Sequence, residues 1–338
     1  MQAEHNVSLK RFNTFGLAVS ASLFVEVNNE AELLEVLVYS KRKEKLLVLG
    51  GGSNMLFTND YDGLVIKNNL QGINAVKETD DCVFVKAGGG VTWHQLVLWS
   101  VAQNLGGIEN LSLIPGSVGA APIQNIGAYG VEIKDTFYEL EAIHIASGTK
   151  RIFNLEECKF GYRNSIFKNE EKGNYIITAV TFQLKKNPAF NTSYGAIEQE
   201  LKKMNVTDVT VKAISDAVIS IRKSKLPDPN VLGNAGSFFK NPEISHEEFE
   251  SLQKRFPTIV HYPAPGGKIK LAAGWLIEQC GWKGKRVGNT GSHKDQALVL
   301  VNYGNASGNE IYQLALDISA SVKEKFDVTI SPEVNIIS

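Results

Sequence analysis

Three glycine-rich segments, each following an apolar run, set the tightest limit on what this chain can fold into. LVLGGGSNML (47–56) leads into Gly50, Gly51, Gly52, Ser53 and Asn54, AGGGVTW (87–93) is shorter, and LIPGSVGAAPIQNIGAYG (113–130) joins Pro115, Gly116, Ser117, Gly119, Gly127 and Ala128 to the amides Gln124 and Asn125. Glycine admits positive φ and brings backbone N–H groups close to a ligand, and Ser53 and Asn54 add side-chain donors. The third segment suits a flat ring or a pyrophosphate pressed against backbone. No segment reads G-x-G-x-x-G, and no G-x-x-x-x-G-K-[ST] is present, which disfavours a standard dinucleotide fold and a P-loop. A lone GGG is more often a turn. The ordered set of three carries the argument.

Around these loops the first half alternates short strands with helices. LFVEV (23–27), LLVLG (46–50), GLVIK (63–67) and VFVKAGGG (83–90) read as strands, rich in Val, Leu and Phe and bounded by turn residues. Glu30 to Ser40 and Thr92 to Asn104 read as helices, the second with Thr92 as a hydroxyl cap. After residue 185 the style changes. KKNPAFNTSYG reads as a loop, IEQELKK and ISDAVISIRKSK as helices, and LPDPN (226–230) as a rigid break, since each proline fixes φ and restricts the residue before it. Beyond it ISHEEFESLQKRF, KLAAGWLIEQCG, ALVLVNYG and NEIYQLALDISASVKEKF mix helix and strand. A boundary falls near 210–230.

With 338 residues the chain exceeds one comfortable core. Thirty-five basic and 36 acidic residues leave a net charge of -1, which provides no global attraction to nucleic acid or an anionic membrane. MQAEHNVSLKRF lacks the apolar core of a signal peptide, and no later run is long enough to span a bilayer. A cytoplasmic location is the expectation. Cys82, Cys158 and Cys280 are odd in number and form no CxxC, so reduced and mostly buried thiols are expected, with no metal site. His94, His144, His261 and His293 show no metal-ligand spacing and receive no chemistry.

The order of the glycine loops resembles the FAD domain of the vanillyl-alcohol-oxidase (PCMH) type, which wraps the pyrophosphate without a Rossmann fingerprint. Within that superfamily, NTFGL (13–17), the GGGSN loop, SLIPGSVGAAPIQNIGAYG (112–130), FGYRNSIFK (160–168), KLPDPNVLGNAGSFFKNP (225–242), KLAAGWLIEQCGWKG (270–284) and SPEV (331–334) resemble the UDP-N-acetylenolpyruvoylglucosamine reductase family over nearly the whole chain. GNAGSFFKNP carries most of the specificity. NTSYGAIEQEL (191–201) resembles the tyrosine-bearing loop of the type I members. Two departures occur: Asn164 follows Arg163 where YRDS is usual, and Asn335 stands where EVR is common.

The resemblance implies an α+β fold: an FAD-binding domain in two subdomains, 1–65 (with 328–338 returning to the active site) and 66–215, and a C-terminal α/β substrate-binding domain, 216–327. It implies noncovalent FAD held by Gly50, Gly51, Gly52, Ser53, Asn54, Pro115, Gly116, Ser117, Gly119, Gln124, Asn125, Gly127, Ala128 and Ile177. NADPH is the implied hydride donor, and the small-molecule substrate is UDP-N-acetylglucosamine enolpyruvate, reduced for peptidoglycan synthesis, cell shape and division. No nucleic-acid or membrane partner is implied, and a monomer is the expectation.

Hydride addition to the β-carbon of the enol ether leaves a doubly anionic, enolic carboxylate, so the reaction needs cationic and hydrogen-bonding stabilisation. By the family motif Arg163 supplies a permanent cation with a planar fork. Glu333 would polarise the carboxylate from the other side by donating a hydrogen bond when protonated. Ser237 would protonate the α-carbon through immediate geometry, since a hydroxyl is a weak acid. Lys225 would support it. Tyr194, Asn241, Tyr262 and Gln296 are the remaining implied substrate contacts. Read alone, Arg163, Glu333 and Lys225 would be solvated charges, Ser237 a turn residue and the tyrosines core.

Two rival readings stay open on sequence. An FAD oxidase of the same superfamily would keep the cofactor, although 112–130 holds no His or Cys for a covalent tether. A non-catalytic nucleotide-binding protein would have no need for Arg163, Ser237 and Glu333 together.

Overall fold

A computed structural model describes residues 3–40, 45–193 and 195–338. The chain divides into two compact units. One comprises residues 1–7, 21–51 and 62–224, and the other 8–20, 52–61 and 225–338.

The first unit holds two sheets. In the smaller the strand order is Glu4–Ser8, Ser20–Val27, Tyr61–Asn68 and Leu46–Leu49, the last pair parallel with Leu46 opposite Leu64. The helix Glu30–Tyr39 starts where the Asn29 side chain accepts from the Glu32 N–H, and it buries Leu33, Val36 and Leu37. Those side chains join Val25, Val27, Leu64 and Ile66 in one apolar cluster.

The larger sheet is antiparallel in the order Lys150–Asn154, Phe137–His144, Tyr175–Lys185, Cys82–Gly88 and Ile73–Glu78. Its central strand, Tyr175–Lys185, is buried continuously from Ile176 to Phe182. Both of its faces are covered, so its sequence shows no apolar–polar alternation, and even Thr178 and Thr181 are buried. The cluster beneath contains Trp93, Val97, Leu111, Phe137, Phe153 and Phe182. Trp93 meets Phe182 edge to face at 5.6 Å.

Helix Trp93–Ala102 begins after Thr92, as expected, but the Thr92 hydroxyl makes no capping bond. The Trp93 N–H donates instead to the Gly116 carbonyl at 3.0 Å, so a distant loop supplies the cap.

The second unit is built on an antiparallel sheet in the order Gly233–Ser237, Val299–Asn302, Thr290–Ser292 and Arg286–Val287. The long helix Gly308–Phe326 starts in a capping box formed by Ser307 and Glu310, and it buries Ile311, Leu314, Ile318, Val322 and Phe326. A three-stranded sheet follows the order Glu243–Ile244, Ile269–Leu271 and His261–Pro263. The C-terminal strand Asn335–Ile337 lies parallel to Met55–Phe57, with Asn335 opposite Met55. Cys82 and Cys158 are buried and Cys280 is half-buried, all three as free thiols.

Candidate functional site

In the first unit the shorter glycine segment works as a platform. A Cβ on Gly88 would lie 2.4 Å from the Leu70 carbonyl oxygen, and one on Gly89 would lie 2.4 Å from that of Ile177. The third segment docks on this platform: the Val118 N–H donates to the Val91 carbonyl at 2.8 Å and the Gly119 N–H to that of Gly89 at 2.9 Å. Ile177 has its side chain in the core and its carbonyl beneath Gly89 and Gly119.

The first and third segments also meet. A Cβ on Gly50 would lie 2.3 Å from Ser117 Oγ, and one on Gly51 would lie 2.9 Å from Gly116 Cα. Among the described residues, the backbone N–H groups of Gly51, Gly116 and Ser117 donate to no protein acceptor. Unspent N–H groups on glycine turns are the donor set that an FAD pyrophosphate requires. These residues fit the cofactor.

Several non-glycine residues at this site take left-handed backbone: Leu113 (φ 57), Asn125 (φ 44), Tyr129 (φ 51) and Arg163 (φ 51). Such conformations persist only where surrounding contacts over-determine them, and they gather at functional sites. The contacts are identifiable. Asn125 Nδ2 donates to Glu132 Oε2 at 2.9 Å and to the Gly161 carbonyl at 3.1 Å. Arg163 Nη2 donates to the Gly127 carbonyl at 2.7 Å. Pro115 is exposed and Gln124 half-buried along the same segment, while Ala128 pairs with Val131.

Two further residues shape this face, and sequence reading passed over both. Arg222 is half-buried, and desolvation holds its guanidinium below the usual arginine value. Tyr129 favours its charge and Arg163 opposes it. Two half-buried arginines close enough to influence one another suit an anion. Asn110 donates to the Tyr129 carbonyl at 3.1 Å and to the Asn191 carbonyl at 2.9 Å, tying the glycine loop to the start of NTSYG. Only their neighbourhood, ENLSLIPG and SIRKSK, could have signalled them. Tyr194 lies outside the described residues.

In the second unit, residues far apart in sequence converge. Ser237 ends its strand opposite Val299, exposed, with Phe238 and Phe239 buried behind it. The Glu333 N–H donates to the Phe238 carbonyl at 2.7 Å, and Phe239 bridges to Pro332. This puts Glu333 on the chain segment beside the serine. Asn54 Nδ2 donates to the Glu333 carbonyl at 3.4 Å, and the Asn335 N–H donates to the Asn54 carbonyl at 3.1 Å.

Gln296 stands at the turn entering the Val299 strand, since the Val299 N–H donates to its carbonyl at 3.0 Å. Its Oε1 would lie 3.4 Å from a Cβ on Gly274. Asn241 Oδ1 accepts from the Ala273 N–H at 3.0 Å, so it caps that same short helix. Tyr262 is 43% exposed on the neighbouring sheet, opposite Lys270. Lys225 ends the helix Val211–Lys225, exposed.

Residues 21–153 match the FAD binding domain family, and residues 228–337 match the C-terminal domain of UDP-N-acetylenolpyruvoylglucosamine reductase. The chain is 52% identical to the UDP-N-acetylenolpyruvoylglucosamine reductase of Flavobacterium johnsoniae and 50% identical to that of Amoebophilus asiaticus, in each case over 100% of both chains. The crystal structure of the Thermus caldophilus enzyme of that name superposes with a TM-score of 0.69 at 25% identity, covering 100% of both chains. The α+β architecture with an FAD-binding domain and a distinct C-terminal domain stands as read from sequence. Identity at half of all positions along the full length makes the chain a member of the UDP-N-acetylenolpyruvoylglucosamine reductase family, a family of FAD-dependent oxidoreductases.

Proposed function

We propose that the protein reduces UDP-N-acetylglucosamine enolpyruvate to UDP-N-acetylmuramate in the cytoplasm, consuming NADPH. The observation that carries this reading is the convergence of Ser237 and Glu333. The two lie far apart in the sequence, yet the Glu333 N–H reaches the carbonyl of the residue after Ser237 at 2.7 Å. FAD, when bound, would supply the hydride chemistry that links NADPH to the β-carbon of the enol ether.

The chain's own residues do the rest. Ser237 delivers a proton to the α-carbon and recovers one from solvent. Its exposure at the end of a strand whose Asn234 and Ala235 are buried supports this role. Arg163 binds the substrate carboxylate as negative charge builds on it, and Glu333 hydrogen-bonds the same group. Lys225, Asn241, Tyr262, Gln296 and Tyr194 hold the nucleotide sugar. The FAD residues are those named above, with two subdomains meeting near residue 65 and the substrate domain running from 216 to 327.

The test separates the two halves of the reaction. Anaerobic NADPH should bleach the flavin of Ser237→Ala at near wild-type rate. Addition of the enolpyruvyl nucleotide should then reoxidise it on the order of 10²–10⁴ slower. Reoxidation at wild-type rate with normal product would make Ser237 a turn residue and sink the assignment.

A further inference from the structure

The candidate cofactor loop opens on a leucine in an unusual conformation. Leu113 has φ 57, a left-handed backbone that leucine rarely adopts. Side chains hold both of its peptide groups. Its N–H donates to His94 Nδ1 at 2.9 Å, and its carbonyl accepts from Arg222 Nε at 3.2 Å. Trp93, beside His94, grips the loop on either side: its Nε1 donates to the Leu111 carbonyl and its N–H to that of Gly116, both at 3.0 Å. The first turn of one helix therefore sets the path of residues 111–116, which lead into Gly116 and Ser117 with their unspent N–H groups.

Of these contacts, the one through His94 can be switched by a proton. Nδ1 accepts a hydrogen bond only when it carries no proton, so the ring must be neutral, with its proton on Nε2. The surroundings favour that form. His94 is half-buried, and desolvation first, then Arg222 and Lys223 on the helix Val211–Lys225, hold its pKa below the ordinary histidine value. No carboxylate among the described residues acts on it in the opposite sense.

We propose that His94 is a positioning residue for the FAD loop. Its neutral imidazole fixes Leu113 in the left-handed conformation, and protonation of the ring loosens the loop and releases cofactor. The proposal rests on the reading of residues 113–119 as an FAD loop. Since the ring is neutral in the competent form, FAD affinity is constant at neutral and alkaline pH. It weakens only as pH falls through a value below about 6.5.

The test uses the full chain in three forms. Ring ¹⁵N NMR of the apo-protein at pH 8 should report an unprotonated, hydrogen-bonded Nδ1 on His94. FAD binding is then followed by flavin fluorescence from pH 8 to 5. Wild type should lose affinity on the acid limb. His94→Asn places Oδ1 where Nδ1 stood. It should bind within about threefold of wild type at pH 8 and lose the acid limb, because an amide accepts without titrating. His94→Phe should bind roughly 2- to 10-fold more weakly at pH 8, the worth of one net hydrogen bond.

A proton on Nδ1 in the NMR spectrum overturns the contact itself. An acceptor Nδ1 combined with wild-type affinity in His94→Phe overturns its link to the cofactor. An unchanged acid limb in His94→Asn assigns the titration elsewhere and overturns the switch.

Discussion

Gly51 offers the sharpest test of how the cofactor loops are built. A Cβ there would stand 2.9 Å from Gly116 Cα, 3.3 Å from its carbonyl carbon and 3.4 Å from its nitrogen. Carbon atoms normally settle about 3.5–4.0 Å apart, so Gly51→Ala must drive the loops apart by roughly 0.6–1 Å. The obstacle is backbone, so no rotamer change relieves it. Overpacking of this size costs about 1–3 kcal/mol. Charged to cofactor binding, that is roughly a 5- to 140-fold rise in Kd for FAD.

Gly50→Ala provides the internal contrast. Its Cβ would meet Ser117 Oγ at 2.3 Å, but the next atom, Ser117 Cβ, stands at 3.4 Å. Adding Ser117→Ala removes the clash, so the double variant should bind FAD better than the two single losses sum to. Gly51→Ala gains nothing from the same change. The assay is fluorescence titration of apo-protein with FAD, with thermal unfolding of each apo-protein run beside it. Affinity for FAD within about twofold of wild type in Gly51→Ala, or strict additivity in the Gly50–Ser117 cycle, would refute the close opposition of the loops.

Two predictions concern parts of the chain away from the loops. Ser307→Ala removes the hydroxyl that accepts from the Glu310 N–H at 3.2 Å, and should lower stability by about 1 kcal/mol in urea unfolding; an unchanged midpoint would mean the box adds nothing to the Gly308–Phe326 helix. At pH 8 a thiol reagent should label Cys280 first and leave Cys158 untouched until unfolding, because Cys158 is 0% exposed and burial pushes its thiol up to about 12; rapid labelling of Cys158 in folded protein would contradict the core as described.

The glycine segments were legible in the sequence as close-approach turns because glycine's backbone freedom is local, and it was their order, not any single run such as GGGSN, that pointed to a cofactor. The helices Glu30–Tyr39 and Gly308–Phe326 were legible for the same reason, each carrying its apolar stripe and its cap within its own residues. What escaped depends on tertiary partners. The central strand Tyr175–Lys185 has no alternation, because both faces are covered, and a mainly apolar stretch without a period does not announce a strand. Thr92 looked like a hydroxyl cap, but its hydroxyl makes no capping bond, and the first N–H of the helix, Trp93's, goes to the distant Gly116 carbonyl. Nothing in LSLIPGS marks Leu113 as left-handed, so no reading of the sequence could give His94 its partner. The neighbourhood of Ser237 and Glu333 came only from family order, since pairing between segments so far apart leaves no local trace.

The same observations bear on how the cofactor loop is prepared for its ligand. Left-handed backbone costs a non-glycine residue about 1–2 kcal/mol, and Leu113, Asn125, Tyr129 and Arg163 all adopt it. A loop free to relax would abandon these conformations. It is prevented from doing so by protein groups alone: His94 and Arg222 on Leu113, Glu132 and Gly161 on Asn125, Asn110 on Tyr129, and Gly127 on Arg163. The strain is therefore met during folding. If FAD binds here as proposed, it meets a loop already shaped, with little conformational entropy left to lose, which is the condition under which modest contacts give tight binding. Loosening any one of these tethers should weaken the cofactor more than it weakens the fold.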